Sequence, residues 1–193
     1  MATVNQVNVG LSGSTGSGTF VGSTSPTMVT PVLGAASATS LAFSSTSGII
    51  GTTTNDNAAA GSVGEVISSA VTYNTVNLTT ATAANITSIS LTAGDWDVWG
   101  AVNFFGAGGT IPTSFQAGCS RTSATMPSIL TLDITQMATF TGATFAAGQS
   151  CIQTVAPSIM KLSGTTTVYL VGLSNFSVDT MTAGGAIIAR RVR

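Results

Sequence analysis

"DWDVWGAVNFF", residues 95–105, alternates along its whole length. Trp96, Val98, Val102 and Phe104 fall on one side of an extended chain, with Asp95, Asp97, Trp99, Asn103 and Phe105 on the other. That period of two is the signature of a β-strand. The first side is core. The second mixes two aromatics with two acids, so it is expected to be partly covered too, by a second sheet or by a neighbouring subunit.

Outward from this stretch the same signal recurs in "EVISSAVTY" (65–73), "NITSISLT" (85–92), "SFQAGCSRT" (114–122), "SCIQTVAPSIMKL" (150–162), "TTTVYLVGLSNF" (165–176) and "AIIARRVR" (186–193). No segment shows a helical repeat of helix-forming residues. Short strands at this spacing, separated by Gly-containing turns, predict an all-β sandwich or barrel over residues 63–193. Gly94 with Asp95, and Ser163 with Gly164, each lie between two alternating runs and predict a hairpin or a tight corner. "FGAGGTIPTS" (105–114) and "TFTGATFAAGQ" (139–149) read as loops displayed at one end.

Residues 1–62 read differently. "GLSGSTGSGTF" (10–20) is rich in Gly, Ser and Thr, and "VGSTSPTMVTPVLGAAS" (21–37) has two prolines and no charge. Pro26 and Pro31 hold φ near −65° and push the residues before them towards extended backbone. Phe20, Val21, Met28, Val29, Val32 and Leu33 are too apolar for water over such a length and too few for a core of their own. The segment is expected to be an extended arm that lies against a partner surface.

Composition supports an assembled protein. Charged residues make up 6% of the chain, five Lys/Arg against six Asp/Glu, where ordinary domains carry about 25%. The usual disordered tail is strongly charged, and a monomer this poor in surface charge is expected to be sparingly soluble. A surface covered by copies of itself or by a partner reconciles the two.

Chemistry is thinly supplied. The chain has no histidine and two cysteines, Cys119 and Cys151, so neither a zinc site nor a disulfide framework is expected, and free thiols are. Asp95 and Asp97 share a strand face, a geometry open to paired-carboxylate chemistry; pairing with arginine is the reading preferred here. Without histidine there is no Ser-His-Asp arrangement, and no lysine follows the glycine-rich runs to make a phosphate loop. The chain is expected not to be an enzyme and to use no cofactor or metal. It starts with no signal-peptide pattern, and no apolar run approaches the roughly 18 residues of a membrane span. A net charge of −1 with no basic face argues against nucleic acid.

Arg190, Arg191 and Arg193 supply three of the five cations. Together with Asp95, Asp97 and Trp99 they are expected to form an intersubunit or partner contact. The preferred reading is intersubunit salt bridging to Asp95, Asp97 or Asp179; the other is docking to an acidic surface or to anionic host polysaccharide.

"GSGTFVGSTSPTMVTPVLGAAS", "GEVISSAV", "SISLTAGDWDVWGAVNF" and "GGAIIARRVR", in that order, resemble segments of tailed-bacteriophage tail-fibre and related virion proteins. The resemblance implies a homotrimeric, non-enzymatic virion protein assembled in the host bacterial cytoplasm. Its arm would dock on a tail adaptor or nozzle, and its C-terminal jelly roll would contact the host surface, with host polysaccharide as a candidate partner. The alternative it leaves open is a capsid decoration (cement) or head-fibre protein, with the arm gripping capsid proteins. It adds no catalytic residue.

Overall fold

The computed structural model describes Ser40 and residues 53–128, 135–138 and 149–193. The arm residues Phe20, Val21, Pro26, Met28, Val29, Pro31, Val32 and Leu33, and the loop 139–148, lie outside the described residues. The β-strands belong to a compact unit, Thr53–Arg193.

Eight strands are present among the described residues: β1 (Val66–Leu78), β2 (Ala84–Leu91), β3 (Gly94–Gly106), β4 (Ile111–Ser120), β5 (Thr135–Ala138), β6 (Ser150–Leu162), β7 (Thr166–Ser177) and β8 (Met181–Arg191). They form two four-stranded sheets, in the orders β1-β8-β3-β6 and β2-β7-β4-β5, and every strand pair is antiparallel. Each chain connection except β4–β5 crosses from one sheet to the other. That order is a jelly roll, in which two interleaved Greek keys close an eight-stranded sandwich.

The alternation of residues 95–105 survives intact. In β3 the even-numbered residues from Trp96 to Gly106 are buried and the odd-numbered ones half-buried. β3 lies between β8 and β6, so its backbone is paired on both sides. Trp96, Val98, Val102 and Phe104 meet Phe115, Val168, Leu170 and Ile187 in one core. The Phe104 and Phe115 rings stand tilted at 5.1 Å between the sheets. Each such side chain contributes about 1.5–3 kcal/mol by leaving water.

One open alternative is settled and one expectation changes. The turns at 92–94 and 163–165 are corners and not hairpins, because β2 and β3, like β6 and β7, belong to different sheets. "FGAGGTIPTS" is mostly strand: only residues 107–110 link β3 to β4, and they are pinned by Ala107 N–H and Thr110 Oγ1, both donating to Thr180 O. β4 begins at Ile111 and includes Pro112, which sequence reading places in a loop. The register against β7 slips between Pro112 and Ser114, an irregularity of the kind at which strand prolines are found, and the described residues of β5 pair with residues 115–118 of β4.

The two ends of the domain differ in content. The chain enters β1 and leaves β8 beside the 92–94 and 163–165 corners. The links after β1, β3 and β7 gather at the opposite end.

Candidate functional site

The three C-terminal arginines fall on the two faces of β8. Strand alternation carries Ile187, Ala189 and Arg191 inward and Ile188 and Arg190 outward, with Arg191 only 5% exposed. Arg191 Nε donates to Glu65 Oε2 at 3.0 Å, Nη1 donates to Ala93 O at 2.9 Å, and Nη2 bonds Thr92 Oγ1. The guanidinium lies 4.3 Å from the centre of the Trp96 ring, a cation–π placement. Trp96 Nε1 in turn donates to Thr92 O. An indole ring, a cation and an anion thus close one end of the core. The Arg191 guanidinium, expected at a partner contact, makes its hydrogen bonds inside the domain.

Gly94 makes this packing possible. Its φ of +134° is a conformation L side chains avoid, and a Cβ there would stand 2.3 Å from Arg191 Nη1 and 2.9 Å from Arg193 O. Glu65 accepts from Gly61 N–H at 2.9 Å as well as from Arg191. Those two donors, the Gly61 amide first, hold its carboxyl below the ordinary value of 4.5 against the opposing effect of burial. Glu65 was missed in the sequence, where it has no acidic or basic neighbour at a telling spacing. The signal available was Arg191 itself, since an arginine on the side of Ile187 needs a carboxylate within the core.

The outward face is a different surface. Arg190 Nη2 lies 3.1 Å from Asp97 Oδ2, and Arg193 Nη2 lies 2.7 Å from Asp95 Oδ2. Both pairs form within one chain. Asp179, the third acid considered, accepts from Thr180 N–H at the far end of the domain. Directly opposite residues of paired strands share a face, so the register places Trp99 beside Ile188, Asp97 between Arg190 and Ile159, and Asn103 beside Ile152. Ile152 is 61% and Ile159 54% exposed. The outer face of the β1-β8-β3-β6 sheet therefore carries a band of apolar side chains, Trp99, Ile188, Ile159 and Ile152, interspersed with Ser68, Thr154, Asn103 and Asp97, and the two ion pairs lie towards one end of it.

Cys119 and Cys151 both carry thiols, one in each sheet. Among the described residues no group of three or more His, Cys, Asp or Glu side chains could hold a metal ion, and no helix is long and apolar enough to cross a membrane.

No protein-family model matches the chain, and no curated protein does. Among solved structures it is similar to a chain in the structure of infectious bursal disease virus, Gx strain, with a TM-score of 0.42 and 11% identity over 66% of this chain and 32% of that one. A chain in the structure of the Gt strain gives a TM-score of 0.33 and 13% identity over 65% and 30%. This chain spans less than a third of either. Scores this low leave the fold assignment to the strand order described above.

Proposed function

We propose that the chain is a non-enzymatic structural protein of a virion, working as an assembly of its own copies. The observation that carries this reading is the outer face of the β1-β8-β3-β6 sheet. Trp99, Ile188 and Ile159 form an apolar band there, on a chain with few charged residues, and a second copy or a neighbouring virion protein would bury it. Asp95, Asp97, Arg190 and Arg193 would rim that contact; Arg191 takes no part.

In the finer reading the protein is a short tail fibre or fibre-like appendage of a bacteriophage, a homotrimer joined to the tail by residues 1–62. Its sequence resemblance supports this. So does the placement of chain entry and exit at one end of the domain, which frees the other end to face outward. Locating the protein on intact particles by cryo-electron microscopy tests it: density at the tail is expected. Density spread over the capsid shell would replace it by a decoration protein, and absence from particles would end the virion reading.

A further inference from the structure

At the loop end of the same outer face, β1 departs from the regular ladder. Its register with β8 slips between Val71 and Val76, and Asn74 takes a φ of +64°. The slip lifts residues 72–75 over Gly184, where a Cβ would stand 2.2 Å from Thr72 O and 2.6 Å from Tyr73 Cα. The lifted turn is held: Thr182 Oγ1 donates to Asn74 Oδ1 at 2.5 Å, and the hydroxyls of Thr72 and Thr75 are 3.0 Å apart.

The result is an open cleft of about 530 Å³ lined by Tyr73, Asn74, Asn103, Phe105 and Ser150. That volume lies within the range of about 300–1,000 Å³ usual for small-molecule sites. Tyr73 is 65% exposed, with its ring 6.2 Å from that of Phe105 and tilted by 45°. Asn103 Oδ1 is shut off from solvent and has no hydrogen-bond partner among the described residues. Native structures rarely leave a buried amide oxygen in that state.

We infer that this cleft binds a neutral carbohydrate. The lining has no charged side chain, which disfavours phosphate, sulfate or carboxylate ligands. It is too polar for a lipid chain. It does pair an exposed ring, whose negative face attracts the polarised C–H groups of a pyranose, with two carboxamides and a hydroxyl, which donate and accept as sugar hydroxyls require. Asn103 supplies the decisive feature. The terminal torsion of an Asn side chain is soft, so a small turn offers the orphan oxygen to a sugar O–H, and the unmet bond is then made. The inference does not depend on whether the particle site is tail or capsid.

The test uses the full-length chain with a panel of neutral methyl glycosides and disaccharides of glucose, galactose, mannose and N-acetylglucosamine, and with glucuronate and sialic acid as charged counterparts. Binding is read by saturation-transfer NMR and by titration. At least one neutral probe is expected to bind, with Tyr73→Ala weakening it by about tenfold. Asn103→Leu should weaken the same probe while leaving the melting temperature unchanged or higher, because the substitution also removes an unpaired buried oxygen. That split separates a ligand contact from a structural role. Saturation by charged probes alone, by none of the panel, or equally in Tyr73→Ala and Asn103→Leu would overturn the inference.

Discussion

Glu65 and Arg191 stand 126 residues apart in the chain and 3.0 Å apart in the fold. Their backbones are joined as well, Arg191 N–H donating to Glu65 O at 2.8 Å and Gly64 N–H to Arg191 O at 2.9 Å. The pair therefore fastens the first strand to the last at the end where the chain enters and leaves. Both side chains are nearly shut off from water. Arg191→Ala strands a buried carboxylate and uncovers the Trp96 ring, and removing one member of such a pair costs about 3–5 kcal/mol. Arg190→Ala, at an ion pair whose arginine is 55% exposed, is expected to cost less than about 1 kcal/mol. Urea denaturation of the two variants beside the parent measures the difference.

The same carboxylate makes stability depend on pH. The folded pKa of Glu65 is depressed by the Gly61 amide and by Arg191, so the folded state binds its proton less readily than the unfolded chain. Its contribution is complete above the unfolded value, near 4.5, and is lost as pH falls below that through the depressed folded value. Between neutral pH and pH 5 this group should leave the denaturation midpoint unchanged, and below about 4.5 the midpoint should fall. Glu65→Gln is expected to lower stability at neutral pH and to flatten the acid limb. A parent and variant with parallel acid limbs would show that other carboxylates govern it.

Much of the sandwich was legible because it is written in local alternation. β3, β6 and β7 appear within a residue or two of where apolar and polar residues alternate, since each has one face in the core. The described part of β5, Thr135–Ala138, is four residues, too few to alternate convincingly. Sheet order was not legible either, because turns at Gly94 and Gly164 look alike whether the chain doubles back or crosses to the other sheet. The pairing of Arg190 with Asp97 could be guessed from charge alone. The Arg191–Glu65 contact could not, because its sequence separation leaves no spacing to read. The cleft depends on one slipped register, whose trace in the sequence is Asn74, a residue that tolerates positive φ inside an otherwise β-forming run.

That slipped register makes a prediction of its own. Thr72 O and Tyr73 Cα are backbone atoms and cannot rotate away from a Cβ on Gly184, so Gly184→Ala must displace the lifted turn of β1. The expected cost is about 1–3 kcal/mol, in the range of overpacked sites. Gly164→Ala serves as the control, since a Cβ there meets nothing within 4 Å. Equal melting temperatures for the two variants would show that the turn moves freely.

Self-association should depend on the centre of the outer face. Trp99→Ala with Ile159→Asp removes an aromatic side chain and places a charge within the apolar band while leaving the core face of β3 and β6 untouched. The parent chain is expected to sediment as a trimer and the double variant as a monomer with an unchanged circular-dichroism spectrum. A parent that is a stable monomer at micromolar concentration would remove the basis for the assembly.

The folded domain is braced upstream of β1. Asn57 bonds Val66 twice, its Nδ2 donating to Val66 O at 2.8 Å and its Oδ1 accepting from Val66 N–H at 2.9 Å. Gly61 N–H donates to Glu65. Residues 57–61 therefore brace the entry to β1, although their Asn, Ala and Gly composition reads as loop. Deleting residues 1–52 removes none of these bonds, whereas deleting residues 1–62 removes all of them. The Asn57 pair alone should cost about 1–3 kcal/mol, at roughly 0.5–1.5 kcal/mol per bond, so the shorter deletion is expected to melt with the parent and the longer one below it. Both should fail to join particles if the Pro26–Leu33 segment is the docking element. Val29→Asp with Val32→Asp in the full-length chain isolates that element: charges set into an apolar contact without partners are expensive, so the domain should stay folded while incorporation is lost. Full occupancy of particles by the doubly substituted chain would show that attachment resides elsewhere in the molecule.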